Sequence, residues 1–92
     1  MSALSAEEVT LRLARLSGWR LDAGELVKTF AFNDFRAALR FVNQAGELAE
    51  AAGHHPDIDI RYNRVRLSLT THDAKGLTEK DFTLAAQTDK LI

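Results

Sequence analysis

Three histidines are the whole imidazole complement of this chain, and they fall in two short stretches. His54 and His55 are adjacent within EAAGHHPDIDIRY, and His72 lies ten residues after Tyr62. Imidazole titrates close to neutral pH, so such a set suits proton transfer or metal ligation. Three histidines with one open position would make a catalytic zinc site. Recurrent metal pairs, however, sit four residues apart on a helix, where both rings aim the same way. Adjacent residues in an extended segment point to opposite sides instead. That geometry favours an acid–base site over a metal centre, provided the histidines are more than hydrogen-bonded residues at an element boundary.

Carboxylates and hydroxyls stand near them in sequence. Thr70, Thr71 and Asp73 flank His72, where they can bind a polar ligand or decorate a strand end. Glu50 falls in the last turn of an expected helix, where the dipole disfavours a negative charge. Asp81 follows Thr78 by three residues, so it can close a capping box as well as serve a site.

The elements that must position these groups alternate. Ser5 caps a first helix with Glu8 three residues on, and Leu4, Val9, Leu13 and Leu16 give its apolar spacing as far as Gly18. WRL and ELVKTFAF flank Asp22-Ala23-Gly24 and read as a β-hairpin, with Leu26, Phe30 and Phe32 on one face. Asn33 is the expected cap of a second helix, whose buried stripe is Phe35, Leu39, Val42, Ala49 and Ala52, with Gly53 as its stop. Trp19, Phe30, Phe32 and Phe35 read as core. DIDIRYNRVRLSLTTH then makes a second hairpin, and a last helix begins after Thr78. The order is α-ββ-α-ββ-α over a single domain, residues 1–92. One four-stranded antiparallel sheet with helices on one face is the simplest α+β packing of these elements.

The second hairpin decides whether the histidines meet. With Asn63-Arg64 as its turn, Tyr62 faces Val65, Ile60 faces Leu67 and Ile58 faces Leu69, so apolar opposes apolar. Running that register outward brings His55 opposite His72. Pro56 disfavours helix at His55 and keeps the segment extended. One of the paired histidines then shares a face with His72 while the other approaches from a second wall.

Composition limits the function classes. The formal net charge of −1 gives no general nucleic-acid binder, and no cysteine is available for thiol chemistry or disulfides. No apolar run approaches the ~20 residues of a membrane span, and the amphipathic, acid-bearing N-terminus does not read as a targeting peptide. The expectation is a cytoplasmic protein with no membrane or nucleic-acid partner. A chain of 92 residues has a modest core and free sheet edges, which points to a homo-oligomer, a dimer or a tetramer.

The pattern Glu50, three spacers, His54-His55-Pro56, Tyr62, and then TTHDAKGLTEKD with His72 and Asp81 resembles the pterin-4a-carbinolamine dehydratases. Gly18-Trp19 and the F-x-F-x-D-F run ending at Phe35 extend the resemblance over essentially the whole chain. The resemblance implies dehydration of 4a-hydroxytetrahydrobiopterin, or a related 4a-hydroxytetrahydropterin, to the quinonoid dihydropterin and water. That reaction recycles the pterin cofactor of aromatic amino acid hydroxylases. It implies an active site of His54, His55 and His72, pterin contacts along Gly53, Thr70, Thr71 and Asp73, and support from Glu50 and Asp81. Neither a cofactor nor a metal is implied, and an aromatic amino acid hydroxylase is a candidate partner. Animal relatives carry aromatic residues where this chain has Ile58 and Asp59, and their role as partners of a transcription factor does not transfer. The competing readings are an assembly or stabilising partner of a hydroxylase with little catalysis, and pterin handling in molybdopterin metabolism. Within the catalytic reading, His54 and His72 are expected to carry the proton transfers. His55, the most restricted residue because it precedes Pro56, is expected to position the pterin.

Overall fold

A computed structural model describes residues 2–92. Its elements run α1 (Ala6–Leu13), β1 (Arg20–Asp22), β2 (Glu25–Ala31), α2 (Phe35–Ala52), β3 (Asp57–Arg61), β4 (Arg64–Leu69), a 3₁₀ turn (His72–Ala74) and α3 (Glu79–Asp89). The strands form one antiparallel sheet in the order β1-β2-β4-β3, so the two hairpins join through their second strands and β3 is an outer strand. This is the α+β order expected from the sequence. Among the described residues no helix is long and apolar enough to cross a membrane.

Alternation along β2 and β4 turns Leu26, Phe30, Val65, Leu67 and Leu69 to one face. There they pack with Val9 of α1, Ala38, Phe41, Ala45 and Ala49 of α2, and Phe82, Leu84 and Ala85 of α3. Trp19 and Leu77 complete the cluster. The first hairpin turns at Ala23-Gly24, both at positive φ, as a two-residue turn between right-twisted strands requires.

The structure corrects α2 twice. Its cap is Asp34, not Asn33, because the Asp34 carboxylate accepts the Ala37 N–H at 2.8 Å. Its buried stripe is Ala38, Phe41, Ala45 and Ala49. Phe35 and Leu39, expected inside, are 46% and 38% exposed, Val42 is half-buried and Ala52 is exposed. The physical reason is spacing between layers. Three alanines bring the helix close to the sheet, and Phe41 fills the gap against Phe30 and Phe32, with ring centroids 4.5 and 5.1 Å apart.

The second hairpin is also corrected. Its turn is Tyr62-Asn63, so Ile60 faces Val65 and Ile58 faces Leu67, while Tyr62 is 67% exposed. Asn63 fixes this choice by a tertiary contact. Its amide donates to the Phe32 carbonyl at 2.7 Å, and the Phe32 N–H donates back to the Asn63 carbonyl at 2.9 Å. The shift is two residues, so every side chain keeps its face. Tyr62 takes the positive φ of 53° in place of a glycine.

Candidate active site

Chain reversal after α2 places the paired histidines. Gly53 adopts the left-handed conformation, with φ 61°, and the His54 N–H returns to the Ala49 carbonyl at 3.1 Å. His54 is thereby held beneath the helix end, and Pro56 leads His55 straight into β3. His72 arrives from the other side. It begins the 3₁₀ turn that Thr71 and Gly76 close by pairing across its base. His72 is therefore beyond the end of β4 and not opposite His55. Continued past Asp57–Ser68, the register sets His55 against Thr70 instead.

The three histidines nevertheless share one cleft of about 250 Å³. Gly53, His54 and His55 line it from the segment after α2, and Thr70, Thr71, His72 and Asp73 from the segment after β4. All seven residues expected in catalysis or binding thus border the same space. Glu50 and Asp81 stand behind it, each on an imidazole.

His54 meets Asp81, Nε2 to Oδ1, at 2.6 Å, and the two side chains are 10% and 0% exposed. The second Asp81 oxygen accepts the Thr71 hydroxyl at 2.8 Å and the Thr78 N–H at 2.9 Å. The Thr78 hydroxyl lies 2.8 Å from that of Thr71 and also accepts the Lys80 N–H. Asp81 thus closes the capping box of α3 and holds His54 at the same time. Every neighbour of this carboxylate is a donor, so the network assigns the His54 proton to Nε2. Nδ1 has no partner among the described residues and is not sealed from solvent. Thr71 turns its hydroxyl into this network, so its part in the site is to brace Asp81.

His55 repeats the arrangement in the open. Its Nε2 lies 2.5 Å from Glu50 Oε2, with both side chains largely exposed. His72 has no side-chain partner among the described residues and faces solvent. Among those residues no group of three or more histidine, aspartate or glutamate side chains is disposed to hold a metal ion.

Lys80 also lines the cleft, and sequence reasoning missed it. A signal was available: it is a cation in the first turn of α3, where the helix dipole disfavours positive charge.

Comparison with known proteins adds what geometry leaves open. A curated relative from Chloroflexus aurantiacus, provisionally named a pterin-4-alpha-carbinolamine dehydratase, is 59% identical over 92 residues, spanning 100% of this chain and 99% of its own. Another from Acidobacterium capsulatum, with the same provisional name, is 55% identical over the full length of both. A crystal structure from Brucella melitensis, described as a transcriptional coactivator/pterin dehydratase, superposes with a TM-score of 0.93 at 35% identity, covering 98% of each chain. A pterin dehydratase-like protein identified as a RuBisCO assembly factor in the alpha-carboxysome superposes at 0.69 with 27% identity, covering 82% of this chain and 89% of its own. The model of the pterin 4 alpha carbinolamine dehydratase family matches residues 2–91, and with these relatives it establishes that the chain belongs to that family.

Proposed function

We propose that this protein dehydrates 4a-hydroxytetrahydrobiopterin, or a close 4a-hydroxytetrahydropterin, by histidine acid–base catalysis. The reaction removes hydroxide from C4a and a proton from N5 to leave a C=N bond and water. It needs an acid at the departing oxygen and a base at N5, and no electron is transferred.

The observation that carries the reading is the His54–Asp81 pair facing a cleft shared with His72. With Nε2 tethered to a buried carboxylate, the His54 ring is fixed in orientation and tautomer, and Nδ1 is the nitrogen left for substrate. His72, which borders the same cleft, supplies the second proton-transfer group. The two can exchange acid and base roles between the two stereoisomers at C4a, so the pair is assigned jointly. His55, held by Glu50, binds and orients the pterin. Gly53, Thr70 and Asp73 complete the pterin contacts. The setting in this reading is a cytoplasmic homo-oligomer that recycles the pterin of an aromatic amino acid hydroxylase.

Following the 4a-hydroxypterin absorbance with purified protein tests the assignment. The dehydration is expected to run faster than its spontaneous rate, and equally so after treatment with a chelator. No acceleration would refute the enzymatic reading, and loss of rate on chelation restored by zinc would refute the metal-free mechanism.

A second reading has its own support. The exposed Phe35 and Leu39 leave apolar surface on α2, which suits protein binding. The RuBisCO assembly factor with a related fold makes a protein-binding role the natural alternative. A chain of that kind would bind a partner while leaving the dehydration rate unchanged.

A further inference from the structure

Two charged side chains that line the cleft, Lys80 and Asp73, have no ion-pair partner among the described residues. Asp81 is spent on His54, Thr71 and Thr78, and Glu50 is spent on His55. Glu79, the neighbour of Lys80 in the first turn of α3, is 3.2 Å from the Arg12 guanidinium. Among the described residues Lys80 itself makes no ion pair and no side-chain hydrogen bond, yet it lines the cleft. A lysine in this turn works against the helix dipole, and a helix gains nothing by placing it there. The long stem lets its ammonium sweep the mouth of the cleft and donate up to three hydrogen bonds.

Asp73 is the opposite pole. It is exposed on the 3₁₀ turn, lines the same cleft and pairs with nothing among the described residues. A carboxylate there suits the N3–H and 2-amino donors of a pterin ring, which leaves Lys80 as the cation of the cleft free to meet a substituent on the pterin. We infer that Lys80 determines specificity by favouring 4a-hydroxytetrahydropterins whose side chain carries an anionic group, a carboxylate or a phosphate ester. This rests on the dehydratase reading above and adds the substrate class that the site prefers.

Three probes separate the possibilities: 4a-hydroxytetrahydrobiopterin with its neutral dihydroxypropyl chain, a 4a-hydroxytetrahydropterin with a carboxyalkyl chain, and one with a phosphate ester. The quantity read is the ratio of kcat/KM for an anionic probe to that for the neutral one, within each variant, so a general loss of activity cancels. In the native protein the ratio is expected to exceed one by about fivefold, the scale of a solvent-exposed charge contact, chiefly through KM and fading with salt. Lys80→Arg is expected to retain the preference, Lys80→Ala to abolish it and Lys80→Glu to invert it. The carboxyalkyl and phosphate arms show which anion is favoured. Equal ratios in the native protein and Lys80→Glu would overturn the inference while leaving the dehydratase reading intact. Absence of dehydration with all three probes would instead overturn that reading, and this inference with it.

Discussion

The Nε2 atom of His54 lies 2.6 Å from Oδ1 of Asp81, twenty-seven residues away in sequence and completely buried. This single contact ties the end of α2 to the start of α3. The same carboxylate holds the Thr78 N–H and the Thr71 hydroxyl, so site geometry and helix capping depend on one side chain. Site geometry and folding are therefore coupled at Asp81.

Replacing Asp81 separates those roles. In Asp81→Asn the amide oxygen can keep the Thr71 and Thr78 donors, which turns the new NH2 toward His54 Nε2. That donor is met only if the ring moves its proton to Nδ1, and the remaining bonds lose their charge assistance, a cost of about 1–3 kcal/mol in stability. A proton on Nδ1 blocks the nitrogen that faces substrate, so kcat is expected to fall on the order of 10²-fold. Denaturant melts and steady-state kinetics of this variant measure both. Unchanged kcat in a folded Asp81→Asn protein would show that Asp81 is only a cap.

The α2 phase offers a test of packing. Phe41→Ala is expected to cost about 3–5 kcal/mol, because it removes a buried ring lying against Phe30 and Phe32. Phe35→Ala, at a 46% exposed position, is expected to cost far less. Urea denaturation of the two variants compares them directly, and equal losses would contradict the observed burial.

These corrections show where sequence stops being sufficient. Thr78 and Asp81 are readable as a cap because the capping bonds themselves span no more than three residues. Gly53 is readable for the same reason. The α2 stripe is not, since Phe35-Leu39-Val42 and Ala38-Phe41-Ala45 share the same helical period. Only the distance from helix to sheet decides that alanines go inside. Likewise, the second turn is chosen by Asn63 bonding to Phe32, thirty-one residues away, which no local pattern reveals. His54, His55 and His72 still border one cleft, but through the 3₁₀ turn that His72 begins rather than through strand register. Lys80 is not legible as a cleft residue because only the folded chain brings the first turn of α3 to the cleft, and a lone lysine carries no spacing pattern.

The exposed α2 stripe bears on assembly. With Phe35 and Leu39 open to solvent and β3 at the edge of the sheet, the protein is expected to self-associate as a dimer or tetramer. Leu39→Glu is expected to shift light-scattering mass toward a single chain at micromolar concentration, with intact circular dichroism. A native protein that already has the mass of one chain would contradict this.

The central claim is that His54 and His72 move the protons while His55 holds the pterin. Steady-state kinetics of His54→Ala, His55→Ala and His72→Ala on 4a-hydroxytetrahydrobiopterin, with folding verified by circular dichroism, test it most directly. His54→Ala and His72→Ala are expected to lose about 10²–10⁴-fold in kcat, equivalent to roughly 3–5 kcal/mol of barrier. His55→Ala is expected chiefly to raise KM, as loss of ground-state binding does. Near-native kcat in both the His54 and His72 variants, or a collapse of kcat confined to His55→Ala, would contradict the account.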